Sequence, residues 1–378
     1  MKTKYLRYIF QKDNVLPIHL IFQITYWCNA ECKSCFVFIN QNTDRELDIN
    51  EIRKLGANFQ HLVWMQLGGG EPFLRKDLPE ICASFPVDHL SIPTNATLTE
   101  KIYRDLETIL KNQPLDLLHL SISLDGIGEK HDELRGFKDN FKRVQETYQR
   151  VQSLRKKYPQ FSVSVNTVIS KSNEDEIEPI AAYVANHMNV DYHAFEFLRG
   201  SPKERNMSLP SDDKIEKLIQ VIKKSITAHG FYKGLGIAAK FTQAAKLLTQ
   251  DIVQGVLDTN KRHIPCYAGR LSTMIDPYGR VHPCELLEDE WGKLREVDFD
   301  LKKIWFSNQW QERRKFIHDE CFCTHSCFML PNILFNPTLY PRLLKYLIAL
   351  KNTAARSVPT PPSGDLSHVH VSPQPSQS

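Results

Sequence analysis

Cys28-Asn-Ala-Glu-Cys32-Lys-Ser-Cys35-Phe36 is the stretch around which this chain is organised. It follows a strand-like apolar run over residues 18–25, so the predicted strand delivers three thiols on one short loop. A cubane iron–sulfur cluster usually takes four cysteine ligands, and a C-x3-C-x2-C loop therefore leaves one iron open. An open coordination position is typical of a catalytic metal site rather than a structural one. The spacing alone is also compatible with a zinc knuckle.

A second motif follows the next predicted strand. Residues 63–67 have the pattern of a buried strand, and they run into Gly-Gly-Gly-Glu-Pro at 68–72. Glycines after a strand let the backbone approach a ligand closely and leave N–H groups free to point at it. A glycine-rich turn alone is commonly just a turn, and its position after the cysteine loop is what favours a ligand site.

Together the two motifs resemble those of the radical S-adenosylmethionine (SAM) enzymes. In that family three cysteines hold a [4Fe–4S] cluster whose open iron binds SAM, which here implies Cys28, Cys32 and Cys35. The family usually has an aromatic residue directly before the last cysteine, whereas this chain has Ser34 there and Phe36 after it. The family's glycine-rich motif holds the amino group of SAM, and its matches here are Gly69, Gly70, Glu71 and Pro72.

Strand-like and helix-like stretches alternate along the first half of the chain, with predicted helix start signals at Asp48, Thr99 and Asn173. Such alternation predicts an α/β fold with a parallel sheet, and six units are too few for a closed eight-stranded barrel. The sequence therefore predicts a partial (β/α)6 TIM-like barrel, which agrees with the core fold of the radical SAM family. The predicted strands are 18–25, 61–67, 87–93, 117–124, 161–169 and 191–198, and the predicted helices are 48–60, 75–84, 99–112, 138–158 and 173–187.

Polar residues stand where these predicted strands end, which is where parallel barrels place their functional groups. The resemblance implies that Ser123 and Asp125 contact the methionine or ribose part of SAM, and that Asn166 reaches the same cofactor. Arg135, in His-Asp-Glu-Leu-Arg-Gly, would pair with the SAM carboxylate, a bidentate role that suits a guanidinium. Asn95 ends the third strand and is a further cofactor candidate. The sixth strand offers two candidate substrate contacts, His193 and Glu196.

Five cysteines follow residue 260. Cys266 and Cys284 flank a segment in which Asp-Pro-Tyr-Gly at 276–279 predicts a turn between two short strands. The remaining three follow a helix-like stretch over 301–318: Cys321, Cys323 and Cys327.

This C-terminal pattern resembles the cysteine-rich extensions of radical SAM enzymes called SPASM and twitch domains. A full SPASM domain holds two auxiliary clusters, whereas five thiols suffice for one [4Fe–4S] cluster with one thiol left over. The resemblance therefore implies a twitch-like domain, and the C-x-C-x3-C spacing leaves one ligand undecided between two cysteines. A structural zinc site is the competing interpretation. The implied ligands are Cys266, Cys284, Cys327 and either Cys321 or Cys323.

Composition narrows the class of protein. A hydrophobic content of 42% and a charged content of 24% are those of an ordinary globular chain. The net charge of +4, with Lys and Arg dispersed, gives no reason to expect nucleic-acid binding. There is no signal-like segment and no long apolar run, so the nine cysteines favour metal ligation in a reducing compartment, and a cytoplasmic protein is expected.

Six segments are expected along the chain. A basic and apolar helix near the C-terminus is compatible with a membrane surface, but packing over the cysteine-rich domain is favoured. The Pro/Ser-rich end should be disordered. The segments are an N-terminal extension (1–17), the radical SAM core (18–200), a helical linker (201–260), the auxiliary-cluster domain (261–330), the C-terminal helix (331–355) and the tail (356–378).

The resemblance implies a radical SAM oxidoreductase with one auxiliary cluster. In that family an external donor such as flavodoxin or ferredoxin reduces the cluster, SAM is cleaved, and a 5′-deoxyadenosyl radical removes hydrogen from an unactivated substrate carbon. The auxiliary cluster would accept an electron from the substrate radical or relay one inward. A small molecule or a peptide is the expected substrate, and the short N-terminal extension tilts against a built-in leader-binding domain. Two alternatives stay open: a peptide maturase with a separate leader-binding partner, and a non-catalytic iron–sulfur or zinc scaffold.

Overall fold

The computed structural model describes residues 8–10, 12, 15–38, 44–229, 236–287 and 289–354. The predicted tail over 356–378 and most of the N-terminal extension lie outside the described residues. Within them the strands form a single nine-stranded sheet.

Six parallel strands form the predicted core. They are hydrogen-bonded in sequence order, each to the next. The sixth strand is an edge, so the sheet is open and the prediction of a partial barrel is confirmed. The strands are β1 (His19–Thr25), β2 (Leu62–Gly69), β3 (Val87–Thr94), β4 (Leu117–Ser123), β5 (Phe161–Ile169) and β6 (Tyr192–Phe197).

Five core helices lie near their predicted positions, and a sixth, over Glu129–Arg135, is not among the predicted helices. Asp48 caps the first helix in a reciprocal capping box with Glu51, as its position predicts. Asn173 does not cap the fifth predicted helix, which begins only at Ile177, because its Oδ1, the atom that would accept at a cap, accepts the Ser170 N–H at 2.9 Å. Thr99 is the first residue of the helix Thr99–Asn112 and does not cap it. The helices are α1 (Ile49–Gly56), α2 (Leu78–Ala83), α3 (Thr99–Asn112), α4 (Glu129–Arg135), α5 (Asn140–Lys157) and α6 (Ile177–His187).

The two faces of the core sheet differ in polarity. On the outer face Phe22 packs on Phe85 at the end of α2, among apolar side chains from every strand. Side chains alternate along a strand, so the other residues of each strand form an inner face. The inner face of the C-terminal half of the strands is polar, and its members include Gln23, Gln66, Ser91, Ser121, Ser123, Asn166 and Glu196.

The C-terminal region continues the core sheet. The predicted hairpin is present, with Gly279 at a φ of +83° in its turn, but β7 also pairs in parallel with β1. The helix predicted over 301–318 is broken, since Ser307 accepts the N–H of Trp310 and starts a new helix. The elements are α7 (Asp212–His229), α8 (Ile237–Thr259), β7 (Ser272–Ile275), β8 (Arg280–His282), β9 (Gly292–Lys293), α9 (Leu301–Trp305), α10 (Asn308–Asp319), α11 (Ser326–Leu334) and α12 (Tyr340–Ala354).

The last helix packs within the protein, as the sequence favours. Leu343 of α12 is buried in one cluster with Leu248 of α8 and Ile333 of α11. Among the described residues, no helix is both long and apolar enough to cross a membrane.

Candidate cofactor site and the two cysteine groups

The first cysteine loop leaves β1 in a fixed direction. The Glu46 carboxylate accepts hydrogen bonds from the Thr25 hydroxyl at 2.8 Å and from the Tyr26 N–H at 3.0 Å. The loop then folds back on itself, since the Cys35 N–H donates to the Cys32 carbonyl at 3.2 Å. These contacts place the three predicted thiols together beyond the carboxyl end of β1.

The three thiols share one electrostatic environment. Burial raises the pKa of Cys32 to about 11, with the neighbouring Cys35 and Cys28 raising it and the Arg135 guanidinium lowering it. Burial likewise raises the pKa of Cys28, and Arg135 again opposes the shift. The donor set thus fits a thiolate-ligated cluster, because three close thiols face one buried cation that favours their ionised form.

The glycine-rich turn packs against the backbone that leads into the cysteine loop. A Cβ at Gly69 would lie 2.0 Å from the Thr25 carbonyl oxygen, and one at Gly70 would lie 2.0 Å from that of Trp27. The N–H groups of Gly70 and Glu71 donate to these same carbonyls at 2.7 and 2.9 Å. The expectation that the turn offers free N–H groups is therefore wrong for these two residues.

The Glu71 carboxylate joins the turn after β2 to the end of β3. It accepts hydrogen bonds from the Asn95 N–H at 2.7 Å, the Thr94 hydroxyl at 2.9 Å and the Phe73 N–H at 3.3 Å. Burial raises the pKa of Glu71 to about 7, and these three donors oppose the shift. Pro72 is buried beside it at the start of a short 3-10 turn. Glu71 therefore fixes the shape of the site from within.

Asn95 reaches the cysteine loop directly. Its Nδ2 donates to the Asn29 Oδ1 at 2.8 Å and lies 3.8 Å from the Cys28 Sγ. The structure thus brings the end of β3 beside the first thiol.

Asp125 and Arg135 form a buried ion pair at the end of β4. The Arg135 Nη1 donates to the Asp125 Oδ2 at 3.1 Å, and the Asp125 Oδ1 accepts the N–H of Val168 at 2.8 Å. The Nε of Arg135 is buried and has no hydrogen-bond partner among the described residues. An unsatisfied guanidinium N–H beside three thiols fits an anionic cofactor group.

Ser123 and Asn166 lie side by side on the inner face. They are direct partners in the register of β4 and β5, and both are half-buried. Phe36, in contrast, is held by the segment after β6, with a Cβ at Gly200 falling 2.9 Å from its own Cβ. The Arg199 guanidinium lies 5.6 Å from the Phe36 ring centroid.

The predicted substrate contacts separate onto two faces of β6. His193 is fully buried on the outer face, where its Nε2 lies 2.9 Å from the Thr167 hydroxyl and its ring meets that of His229. Its prediction as a substrate contact is wrong, because the strand alternation turns it away from the inner face. Glu196 is on the inner face, 2.7 Å from the Arg199 Nη1, and it accepts a hydrogen bond from Ser326.

Four of the five C-terminal cysteines neighbour one another. Burial raises the pKa of Cys266 to about 12, and Cys323 and Cys321 raise it further. Burial also raises the pKa of Cys284, with Cys266 and Cys323 contributing. A cavity next to them is lined by Cys266, Cys321, Cys323, His325, Phe328 and Asn332.

The side chains that act on the thiol of Cys327 are charged, and two of them, Arg199 and Glu196, also act on Cys323. Burial raises the pKa of Cys327 to about 12, Glu196 and Glu285 raise it too, and Arg199 lowers it. Glu285 is itself buried, with an oxygen 2.8 Å from the His325 Nε2. Cys327 therefore lies with the charged groups between the two cysteine regions. Among the described residues, no three Cys, His, Asp or Glu side chains converge on a point where a single ion would bind.

Two buried residues of the site carried no signal in the sequence. His131 hydrogen-bonds the backbone of Asp125, and Asn140 hydrogen-bonds both His131 and the carbonyl of Asn95. Asn140 opens α5, where a polar residue is ordinary, so only the folded structure shows that it is completely buried.

The protein has an open parallel α/β barrel with three thiols beyond its first strand. These features are typical of barrel proteins that bind a metal cluster at the strand ends. A family model for the radical SAM superfamily matches residues 22–184, and a model for the iron–sulfur cluster-binding SPASM domain matches residues 266–328. The chain belongs to the radical SAM superfamily and carries a SPASM domain. It is an enzyme of that superfamily, with [4Fe–4S], SAM and auxiliary iron–sulfur clusters as the cofactors these domains imply.

Characterised relatives span several reactions. The AdoMet-dependent heme synthase of Methanosarcina barkeri is 28% identical over 315 residues, 76% of this chain and 82% of the relative. Mycofactocin maturase MftC of Mycolicibacterium smegmatis is 23% identical over 322 residues, 81% of this chain and 73% of the relative. The sporulation killing factor maturation protein SkfB of Bacillus subtilis is 29% identical over 291 residues, 75% of this chain and 64% of the relative.

Solved structures share the fold. Native anSMEcpe with bound AdoMet and Cp18Cys peptide aligns at a TM-score of 0.57 and 16% identity, covering 90% of this chain and 99% of that chain. Streptococcus suis SuiB bound to S-adenosylmethionine aligns at a TM-score of 0.57 and 16% identity, covering 81% and 70%. At these identities the likeness shows the fold alone.

Proposed function

We propose that this radical SAM enzyme modifies a peptide, with the substrate lying against the inner face of the barrel between the two cysteine groups. The observation that carries the proposal is the chemistry of that face. None of the inner-face positions of β1–β6 is Lys or Arg, and most are neutral side chains that donate or accept hydrogen bonds. Neutral amide groups of a peptide match such a lining.

A heme-type substrate is the second candidate, because one relative is named a heme synthase. Heme carries carboxylate side chains, which are bound best by unpaired cations. Arg199, one of the cations beside the inner face, is already 2.7 Å from the Glu196 carboxylate, and the Lys246 ammonium lies 5.5 Å from the centroid of the Tyr192 ring. This pairing favours the peptide, and two relatives named as maturation proteins support it.

Cys28, Cys32 and Cys35 would hold the SAM-binding cluster. When SAM is bound, its reductive cleavage supplies the 5′-deoxyadenosyl radical that takes hydrogen from the substrate. The Arg135 guanidinium would bind the SAM carboxylate, which its unpartnered Nε supports. An ammonium group needs acceptors, so the turn at Gly69 and Gly70 would serve the SAM amino group through carbonyl oxygens rather than N–H groups.

The remaining cofactor contacts follow the strand ends. Ser123 and Asn166 share one register position on the inner face, which supports a joint contact to the ribose or methionine part of SAM. Glu71, Asn95 and Asp125 already have protein partners, so their proposed role is to orient the residues that touch the cofactor.

We infer that the auxiliary cluster uses Cys266, Cys284, Cys321 and Cys323. Cys266, Cys321 and Cys323 line one cavity, and Cys266 and Cys323 both raise the pKa of Cys284. This proximity supports the set over the sequence-based set, which takes Cys327 in place of Cys321 or Cys323. Thiolates of a cubane cluster bind separate irons, so they need not converge on one point as they would for zinc.

The proposal extends to the cellular setting. An acidic electron carrier such as flavodoxin or ferredoxin would reduce the enzyme. The nine cysteines, proposed in the main as cluster ligands, support a reducing compartment, which we take to be the cytoplasm.

The test is anaerobic reconstitution with iron and sulfide, followed by reduction with dithionite in the presence of SAM. The enzyme should release 5′-deoxyadenosine, and the Cys28/Cys32/Cys35→Ala triple variant should not. Faster release with members of a peptide library than with porphyrin carboxylates would support the peptide. Stimulation by the porphyrins alone would overturn the peptide assignment while leaving the radical SAM activity intact.

A further inference from the structure

A buried hydrogen-bonded chain runs behind the candidate cofactor site. The backbone N–H of Asp125 donates to the Nδ1 of His131 at 3.1 Å, and the Nε2 of His131 lies 3.0 Å from the Oδ1 of Asn140. The Nδ2 of Asn140 donates in turn to the carbonyl oxygen of Asn95 at 2.8 Å. One imidazole thus joins the ends of β3 and β4 through α4 and α5.

These hydrogen bonds are compatible with only one arrangement of the protons on His131 and Asn140. Because the Asp125 N–H must donate, the Nδ1 of His131 is an acceptor and carries no proton. The proton of the neutral ring is therefore on Nε2 and is donated to the Asn140 Oδ1, which leaves the Asn140 amide to donate to Asn95. Both side chains are completely buried, and burial lowers the pKa of His131 to about 4, so the ring stays neutral at physiological pH.

Both ends of this series of hydrogen bonds reach groups beside the thiols. At one end Asp125 holds the Arg135 guanidinium, and at the other Asn95 lies beside the Cys28 sulfur. His131 and Arg135 are four residues apart on α4 and so share one side of that helix.

The helix that carries them also touches the cysteine loop. The Lys33 N–H donates to the Leu134 carbonyl at 2.9 Å. Gly136 has a φ of +57°, and a Cβ there would lie 2.4 Å from the Glu31 carbonyl oxygen. The position of α4 therefore sets the distance between Arg135 and the loop.

We propose that His131 is a positioning residue for SAM binding, acting through Asp125 on Arg135 and through Asn140 on Asn95. The inference rests on the proposed assignment of Arg135 to the SAM carboxylate. Without the imidazole, the Asp125 N–H and the Asn140 Oδ1 are left buried without their partner, and α4 keeps only the Arg135–Asp125 ion pair as a side-chain tie to the end of β4. A merely structural histidine would lower stability without a selective loss of SAM affinity.

The test uses His131→Leu with His193→Leu as its matched control. His193, the second residue of β6, is also a fully buried histidine, and it pairs with Thr167 on the outer face, outside these hydrogen bonds. His131→Leu should weaken SAM binding by about tenfold or more, the scale seen when a residue that orients a metal ligand is removed, while iron content stays unchanged. His193→Leu should leave SAM affinity unchanged.

Two amide variants sharpen the assignment. An asparagine at 131 places its oxygen near the Nδ1 position and can still accept the Asp125 N–H, whereas a glutamine places its amide near Nε2. His131→Asn should therefore keep more SAM affinity than His131→Gln. This order of SAM affinities tests the positioning role even if the leucine variant does not fold.

The readouts are equilibrium dialysis of SAM against the anaerobically reconstituted holoenzymes and the change that SAM causes in the EPR spectrum of the reduced cluster. Equal SAM affinities for His131→Leu and His193→Leu, or a glutamine variant better than the asparagine variant, overturn the inference. If the wild type itself binds no SAM, the proposed cofactor site fails and the inference falls with it. If the wild type binds SAM and the His131 variants bind it equally well, only the positioning role of His131 is refuted.

Discussion

The two cysteine regions are assembled in opposite ways. The first takes all three thiols from residues 28–35, on a single loop after β1. The second gathers thiols from three separate segments: one after α8, one after the β7–β8 hairpin and one after α10. A local ligand set can be read from spacing, whereas a dispersed set exists only once the chain has folded.

The surroundings of the two groups differ as well. Arg135 acts on the thiols of the first group, and its buried Nε has no hydrogen-bond partner among the described residues. The second group lies beside a cavity lined by apolar residues such as Phe328, and the charged Arg199, Glu196 and Glu285 lie between it and the barrel interior. In the proposed function the first region binds an anionic cofactor group and the second borders on the substrate.

The largest effect is expected at the local group. Cys28→Ala, Cys32→Ala and Cys35→Ala should each abolish release of 5′-deoxyadenosine, because two thiolates do not hold a cubane with one open iron. Cys82→Ala is the matched control, since that thiol is fully buried in α2 away from both groups and should leave the activity intact. Full activity in any of the three loop variants would remove that cysteine from the ligand set.

The dispersed group should survive loss of the local one. The triple Cys28/Cys32/Cys35→Ala variant should still take up about four irons on anaerobic reconstitution, the content of one [4Fe–4S] unit. Adding Cys284→Ala to this background should remove those irons, which iron and sulfide analysis would detect. One zinc and no iron in the triple variant would instead make the C-terminal region a structural module.

Substitutions of Arg135, in the proposed site for the SAM carboxylate, should have a smaller and graded effect on SAM affinity. Arg135→Ala should weaken SAM binding by about 1.5–3 kcal/mol, the scale of a charge-assisted hydrogen bond. Arg135→Lys should not restore affinity, because an ammonium group does not reproduce the planar fork of donors. Arg143→Ala serves as control, since that arginine is exposed on α5 and pairs with Glu146. Unchanged affinity in both Arg135 variants would assign this residue to helix packing.

The same contrast between local and dispersed features explains what the sequence could predict. The six core strands are continuous apolar or alternating runs, so their positions are recognisable within a few residues. The pairing of β7 with β1 is not, because it joins residues 19 and 272 and depends on the free edge of a sheet already formed. Local patterns carry no information on such pairings.

The residues of the candidate site likewise differ in whether a local sequence pattern predicts them. Cysteines, glycines and Arg135 stand in motifs with recognisable spacing. The role of Glu71 was not predictable, since only the fold shows that three donors occupy its carboxylate. His193 was assigned to the substrate because spacing places it on β6, while the phase of the strand turns it outward.

The smallest expected effect decides the ligands of the dispersed group. Cys327→Ala in the triple-variant background should leave about four irons, the content of one [4Fe–4S] unit, because the groups that act on its thiol are the charged Glu196, Arg199 and Glu285. Cys323 shares the first two of these but also acts on Cys266. Cys321→Ala and Cys323→Ala in the same background should each lose these irons, since both thiols adjoin Cys266.

The ligand set inferred from the sequence predicts the opposite result. It requires Cys327 and only one of the other two, so Cys327→Ala would lose the irons and either Cys321→Ala or Cys323→Ala would keep them. Because the three variants differ only in which thiol of one short segment is removed, their folding costs are closely matched, and iron content per chain separates the two sets. Retention of iron in Cys327→Ala would leave its thiol on the barrel side of the cluster, within the charged group that borders the proposed substrate site.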